Sequence, residues 1–286
     1  MALSIHTNYS ALTTNTALNK SNNALATNQQ RLGTGLRINS AADDAAGLQI
    51  ATRLNAQSRG MGVAMRNTGD ATSMLQTAEG AFSEMTDIVQ RMKDLATQAA
   101  NGTNSGDDLA ALHAEYDALG EEIGNIMDNT KYAGETLFTG GKFAAAVNFQ
   151  IGASSAEVMT VNVADKLTTL TTNLGTAKTV DLEAASDNTA AAETGAALAI
   201  VELDTVLNDL GSLRADFGAN INRLNHTSNN LANMKDNTEM AKGRIMDADF
   251  AMESANMSKN SMLMQSGISM LKQAGQMPGM VMGLLG

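Results

Sequence analysis

The sequence predicts a mainly α protein. In it, the N- and C-terminal segments form a long antiparallel helical bundle or coiled coil, with a small β-hairpin region in the middle. Three observations predict this class. Apolar residues recur at steps of three and four over long stretches towards both ends, and the period changes to two in the middle. The 286 residues include one proline, Pro278, and because proline interrupts helices, its scarcity allows them to run long.

The first helix is predicted over residues 7–30, where Ala11, Leu18 and Leu25 recur every seven residues and Leu32 follows. Thirteen of these 24 positions are Asn, Ser or Thr, which are poor helix formers. We therefore expect this helix to be marginal alone and to depend on a packing partner.

A second helix is predicted over residues 44–100 by a regular apolar seam. The seam consists of Leu75, Ala78, Phe82, Met85, Val89, Met92, Ala96 and Ala99. Residues 101–108 then form a turn, and Ser105 stands three residues before Asp108, as in a capping box. The helical spacing resumes from Leu109 to Ile126, so this helix is expected to fold back on the previous one.

The middle of the chain alternates apolar and polar residues over 147–151 and again over 159–163, which predicts a β-hairpin with a long loop. Residues 168–195 carry few bulky side chains and are interpreted as a surface connection, whose Ala-rich part has helical character. A long helix is predicted from Ala196 by a seven-residue column. That column is Leu203, Leu210, Phe217, Leu224 and Leu231.

The C-terminal segment carries two apolar columns with seven-residue spacing. One is Phe250, Met257, Met264 and Leu271, and the other is Leu263, Met270 and Met277. Burial of each large side chain contributes roughly 1.5–3 kcal/mol, so this end too is expected to be stable only against a partner. Eleven of the 19 methionines lie from Met234 onward. They are either ordinary core residues or flexible side chains that let one seam tolerate more than one packing geometry.

Composition and motifs exclude several classes of function. A net charge of −11 without a basic cluster argues against nucleic-acid binding, and no apolar stretch approaches the length of a membrane span or a signal peptide. The chain has no cysteine, and its three histidines are far apart without metal-ligand spacing. The acidic pair Asp43-Asp44 is interpreted as helix N-terminal charge. We expect no cofactor and no metal, and nothing indicates an enzyme.

Two segments resemble the terminal signatures of bacterial flagellin. RLGTGLRINSAADDAAGLQIATRLNAQSRG, residues 31–60, is similar to the N-terminal signature, and GRIMDADFAMESANMSKNSMLMQSGISMLKQAGQMPGMVMGLLG, residues 243–286, to the C-terminal one. The resemblance covers about the first 140 and the last 90 residues, with both termini in the family's order. The chain resembles most the short lateral flagellins of surface-swarming bacteria.

The resemblance implies a subunit that is exported unfolded by the flagellar type III route and polymerises into the extracellular filament used for swimming or swarming. It implies that residues 1–43 and 245–286 form the inner core around the channel. Residues 44–139 and 196–244 would form an outer core. Residues 140–195 would form the hairpin and surface connection, without large outer domains.

Partners and contact residues follow from the same resemblance. The partners are other copies of the chain, a flagellar export chaperone, the hook-filament junction and filament cap proteins, and the host Toll-like receptor that senses flagellin. Polymer packing is assigned to Leu18, Leu25, Leu32, Phe250, Met257, Leu263, Met264, Met270 and Leu271. A second set serves as a receptor patch or in subunit packing: Gln90, Arg91, Leu95, Gln98 and Glu115.

Two functions other than that of a filament subunit remain open from the sequence. A hook-filament junction protein resembles flagellin at its ends but is present in few copies and does not polymerise alone. An enzyme displayed on a filament would need a catalytic insert, and the absence of a metal-binding constellation and of a sizeable insert argues against it.

Overall fold

In the computed structural model, six α-helices make up most of the described chain, which comprises residues 8–182 and 193–285 without the side chains of 193–194 and 277–285. The helices are α1 (Tyr9–Thr34), α2 (Ala45–Ala99), α3 (Gly106–Asn129), α4 (Ala164–Lys178), α5 (Glu193–Met246) and α6 (Phe250–Leu285). The strands β1 (Lys131–Tyr132), β2 (Glu135–Thr136), β3 (Val147–Gln150) and β4 (Val158–Val161) form two antiparallel pairs. The predicted mainly α class is confirmed.

The chain divides into two compact units. The terminal unit contains the described residues up to Ser58 together with those from Asp236 onward, and the central unit is Arg59–Lys235. The predicted assignment of sequence ranges to inner and outer layers of a polymer concerns an assembly, so it stays a prediction.

The core of the central unit is built from the predicted seams of α2 and α5. All eight seam residues of α2 are buried, and so are all five residues of the α5 column. Ion pairs flank this core: Lys93 pairs with Asp204, and Arg214 Nη2 lies 3.0 Å from Glu79 Oε1. The predicted helices therefore pack through the faces that their periodicity indicated.

Four phenylalanine rings join the segment that precedes β3 to the two long helices. Phe82 of α2 lies 4.7 Å from Phe138 and 5.6 Å from Phe217 of α5, measured between ring centroids, and Phe143 lies 5.1 Å from Phe217. Rings at these separations attract each other beyond the burial of their surface. This cluster anchors the irregular segment around the short 3₁₀ turn Lys142–Ala144 to the helical core.

The α2–α3 turn and the larger hairpin follow the predictions. Ser105 and Asp108 form a complete capping box at the start of α3, and β3 pairs with β4 in the register Val147↔Val161 and Phe149↔Met159. A smaller hairpin, β1–β2, was not predicted. Its two-residue turn places Ala133 and Gly134 at φ 51° and 89°, and alanine gives no sequence signal for a turn that needs positive φ at both central residues.

The interpretation of residues 168–195 as a surface connection is wrong for its first part. Residues 164–178 form α4, and its Leu167, Leu170 and Leu174 are buried in the core of the central unit. Between these leucines stand threonines, and since threonine is a weak helix former, the segment carries little local helical signal. The leucines recur at steps of three and four, which is the signal that could have identified this helix. Residues 183–192, with the Ala-rich part, lie outside the described chain.

Candidate assembly surface

Helices α1 and α6 pair antiparallel within the terminal unit and share one seam. The less exposed residues of α1 step by three and four, and those of α6 do the same, which is the spacing of a coiled coil. On α1 the seam comprises Ala11, Thr14, Leu18, Ser21, Leu25, Asn28 and Leu32. On α6 it comprises Glu253, Met257, Asn260, Met264, Gly267, Leu271 and Ala274.

Each helix therefore presents one column of bulky apolar residues and one of small or polar residues. Leu18 lies against Gly267, where a β-carbon would stand 3.3 Å from the δ-carbon of the leucine. Counting one heptad along each helix from this contact places Leu25 at the level of Asn260. The bulky side chains of one helix thus face the small or polar positions of the other.

A polar cluster interrupts the apolar seam near the C-terminal end of α1. Arg31 Nη1 donates to Glu253 Oε1 at 3.0 Å. The amide of Asn28, oriented by its hydrogen-bond network, donates to Glu253 Oε2 at 3.1 Å and accepts from Asn260 Nδ2 at 3.0 Å. Asn28 and Glu253 are only 7% and 9% exposed. Because a buried carboxylate is costly without partners, this cluster favours a single register of the two helices.

Hydrogen bonds fix both ends of the pair. At the N-terminus of α1, the Asn8 side chain accepts from Ala11 N–H and donates from Nδ2 to the Ala274 carbonyl at 2.7 Å. At its C-terminus, Gly35 adopts φ 71° and its N–H donates to the Arg31 carbonyl, the left-handed cap for which glycine is suited. The chain then forms an isolated antiparallel bridge between Leu36 and Asp247.

The acidic pair lies where helix α2 begins, as predicted. Asp44 Oδ1 accepts from Gly47 N–H at 2.8 Å, so Asp44 caps α2. Asp43 Oδ2 accepts from the backbone N–H and the hydroxyl of Ser40 and from Asn39 N–H. These hydrogen bonds, from the Ser40 backbone first, hold the pKa of Asp43 below its usual value.

The structure separates the residues predicted for polymer packing into two sets. Six of them are half-buried in the α1–α6 seam: Leu18, Leu25, Leu32, Met257, Met264 and Leu271. The other three, Phe250, Leu263 and Met270, are exposed by 66%, 49% and 62%. Their packing role stays a prediction; in the single chain they are uncovered. The side chain of Met277 lies outside the described residues.

Further exposed apolar side chains on these two helices were missed by sequence reasoning. They are Tyr9 and Leu12 on α1, and Met252, Met262 and Ile268 on α6. They belong to no single seven-residue column, so periodicity did not select them. Their common signal is a large apolar residue on a terminal helix outside the seam.

The second predicted set is only partly brought together at the surface of the central unit. Arg91 Nε and Nη2 both donate to Glu115 Oε1, at 3.0 and 2.7 Å, across α2 and α3. Gln90 and Gln98 are exposed nearby on α2, whereas Leu95 is buried in the core. Leu95 can therefore support this patch from beneath but does not form part of its exposed surface.

The described residues offer no site for metal chemistry and no membrane span. Among them, no three His, Asp or Glu side chains gather as metal ligands, and no helix within 8–182 or 193–285 is long and apolar enough to cross a bilayer. The two terminal helices pair through one seam, and large apolar side chains outside that seam are exposed.

Comparison with known proteins gives the family. The bacterial flagellin N-terminal helical region matches residues 5–142, and the bacterial flagellin C-terminal helical region matches residues 199–285. Flagellin A of Vibrio anguillarum is 36% identical and polar flagellin C of Vibrio parahaemolyticus is 35% identical, each over the whole of both chains. The first alignment covers 380 positions against 286 residues here, so that relative carries residues without a counterpart in this chain.

Two solved structures of flagellar proteins match parts of this chain. A crystal structure of Bacillus cereus flagellin is 36% identical and covers 58% of this chain and 88% of its own, with a TM-score of 0.48. A putative flagellar hook-associated protein from Vibrio parahaemolyticus reaches a TM-score of 0.57 over 72% of this chain and 100% of its own. Its identity is 13%, so this likeness concerns the fold alone.

The chain belongs to the bacterial flagellin family. It is a structural subunit of the flagellar filament and not an enzyme. Family membership implies self-polymerisation and a place in the extracellular filament.

Proposed function

We propose that the outer faces of α1 and α6 are the surfaces through which neighbouring subunits bind. The observation that carries this proposal is the exposure of Leu263 and Met270, which lie outside the seam columns on a helix that packs against α1. Phe250 is exposed as well, at the start of the column that continues through Met257. Burial of each such side chain between subunits would contribute roughly 1.5–3 kcal/mol. Contact with other copies thus supplies the apolar burial that one chain lacks.

The α1–α6 pair forms the inner layer of the filament, with residues 1–43 and 245–286, and residues 44–139 and 196–244 form the outer layer. Residues 140–195 supply the β3–β4 hairpin and α4 and carry no large additional domain, in keeping with the shorter length of this chain than of its Vibrio relative. The polar composition of α1 supports a subunit that is secreted unfolded and whose terminal helices gain further stability on assembly.

The proposed partners are those that the subunit would meet during secretion and assembly. An export chaperone covers the apolar ends before secretion, and the hook-filament junction and cap proteins contact them at the two ends of the filament. The exposed Arg91–Glu115 pair, with Gln90 and Gln98, supports contact with a neighbouring subunit or with a host Toll-like receptor. The filament serves swimming or swarming motility.

Polymerisation of the purified chain, observed by electron microscopy after salt addition, tests this function. We expect filaments from the full chain and none after removal of residues 1–40 or 250–286, with the helical signal of the central unit retained. A protein that stays monomeric at every concentration would instead support the hook-filament junction alternative.

A triple variant tests the surface itself. Phe250→Ser, Leu263→Ser and Met270→Ser together keep the α1–α6 seam residues intact and should raise the concentration needed for polymerisation. Val158→Ser, at an exposed apolar residue of β4, is the control and should polymerise like the unmodified chain. Normal filaments from the triple variant would contradict the proposed surface.

A further inference from the structure

Methionine is the sole source of thiol or thioether sulfur in this chain, because it has 19 methionines and no cysteine. Among the described side chains, the methionines range from fully buried to largely exposed. Met240, Met252, Met262 and Met270 are exposed by 55%, 63%, 66% and 62%. In contrast, six methionines of the central unit are at most 6% exposed: Met61, Met74, Met85, Met92, Met127 and Met159.

Three of the five exposed methionines, Met252, Met262 and Met270, lie on α6, and the other two, Met234 and Met240, lie on α5. Met252 and Met270 share one line along this helix with Leu263, because the steps of eleven and seven residues are close to whole numbers of helical turns. Met262 is adjacent to Leu263 along the chain. The sulfur atoms of these exposed methionines therefore lie within the exposed apolar surface of α6.

We propose that Met252, Met262 and Met270 of the unassembled chain are sites of reversible oxidation by peroxides, and that their oxidation blocks polymerisation. The consequence for polymerisation rests on the proposed function. The assignment of the sites rests on exposure alone and stands apart from it.

The reaction is a two-electron oxidation of sulfur. Hydrogen peroxide transfers one oxygen atom to the thioether, the O–O bond breaks, a sulfur–oxygen bond forms and water leaves. A flexible apolar side chain becomes a polar sulfoxide, and a methionine sulfoxide reductase reverses the change. Burial of a sulfoxide in an apolar contact between subunits is unfavourable unless the contact offers a hydrogen-bond donor.

The seam methionines differ from these three sites in their surroundings. Met257 and Met264 are half-buried against α1, so they should react after the exposed residues and before the buried ones. Oxidation limited to the outer face leaves the α1–α6 seam in place. The block therefore acts on association and not on the fold of the subunit.

The experiment treats the full-length unassembled protein with limiting hydrogen peroxide and maps sulfoxides by peptide mass spectrometry. We expect modification at Met252, Met262 and Met270 first and at Met61, Met85 and Met92 last, with unchanged helical content. The concentration needed for polymerisation should rise at least about tenfold, and reductase treatment should restore it. Equal oxidation of exposed and buried methionines would overturn the site assignment.

A variant with Met252→Leu, Met262→Leu and Met270→Leu, compared with its own untreated sample, should lose the sensitivity to peroxide. Met240→Leu removes an equally exposed methionine from α5 and should leave the sensitivity in place. Sensitivity that persists in the triple variant would overturn the proposal. An untreated chain that does not polymerise contradicts the proposed function and its consequence, whereas the order of oxidation still decides the site assignment.

Discussion

Leu18 of α1 occupies the space that a side chain at Gly267 of α6 would need. A β-carbon at Gly267 would lie 3.3 Å from the δ-carbon of Leu18, which is closer than most such contacts between carbon atoms. The glycine thus sets how closely the two terminal helices approach.

Gly267→Leu should weaken the α1–α6 pair. Overpacking costs about 1–3 kcal/mol, which exceeds the gain of roughly 0.8–1 kcal/mol from removing a glycine within a helix. Hydrogen exchange of α1 amides in the monomer measures the effect. Gly275→Leu is the control, because nothing lies within 4 Å of a β-carbon there; protection should fall only in the first variant, and equal behaviour of the two would refute the close approach.

The Arg31–Glu253 pair should be worth more than a surface ion pair. Its side chains are 28% and 11% exposed, whereas those of Arg91 and Glu115 are 54% and 46% exposed. Double-mutant cycles with alanine should give a coupling of about 1.5–3 kcal/mol for the first pair and about 0.2–1 kcal/mol for the second. Denaturant unfolding followed by hydrogen exchange provides the measurement. A coupling for Arg31–Glu253 that is no larger than for the exposed pair would show that the cluster does not specify the seam.

The capping box should make the stability of α3 depend on pH. Hydrogen bonds from the side chain and then the backbone of Ser105 lower the pKa of Asp108 below its ordinary value of 3.8. Because the folded pKa is the lower one, the stabilisation is complete above about pH 4 and is lost as pH falls through the folded pKa.

Ser105→Ala removes the capping hydroxyl and should lower the free energy of unfolding by about 0.5–2 kcal/mol at pH 7. It should also reduce the loss of stability between pH 4 and pH 2, relative to the unmodified chain. Asp107→Asn changes the neighbouring charge and keeps the box, so its acid dependence from Asp108 should persist. Urea titrations at several pH values measure this, and identical acid profiles for Ser105→Ala and the unmodified protein would contradict the assignment.

Ala133→Asn should stabilise the small β1–β2 hairpin. Ala133 has φ 51°, a left-handed conformation that costs an alanine about 1 kcal/mol and that asparagine tolerates better. The expected gain of roughly 0.5–1 kcal/mol should appear as a higher Tm of the central unit. Gly134→Ala, at φ 89°, should lower the Tm. A gain from both substitutions would show that the turn does not have this geometry.

Replacement of Met257, Met264 and Met270 by leucine should alter filament shape. If these flexible side chains permit two packings of the terminal helix, stiffer leucines favour one of them and change the mixture that produces curvature. Electron microscopy and dark-field imaging of filaments measure the waveform. Met85→Leu, within the core of the central unit, is the control, and an unchanged waveform in the triple variant would remove the support for this role.

The long helices, their buried faces and the larger hairpin could be predicted because regular spacing of apolar residues specifies them. The seams of α2 and α5 and the presence of the β3–β4 hairpin follow from apolar steps of three, four and two. The capping box follows from the spacing of the polar residues Ser105 and Asp108. The resemblance at both ends supplied the family, which periodicity alone does not give.

Features that depend on small or polar residues were not predictable in this way. Gly267 and Asn260 are not large apolar residues, so apolar periodicity does not identify the second column of the α6 seam. Only the packing of α1 against α6 shows that these positions belong to it. Likewise α4 is hidden by threonines and the β1–β2 turn by an alanine at positive φ. In each case tertiary packing stabilises a residue that its local preference would place elsewhere.

The hydrogen bond from Asn8 to the Ala274 carbonyl joins residues that are 266 positions apart. Any process that delivers the chain from its N-terminus therefore releases α1 long before the helix that completes it has emerged. Closing so large a loop is also slow, because contacts between distant segments form only after the chain ends have met. The α1–α6 pair can therefore form only after the last residues of the chain have emerged.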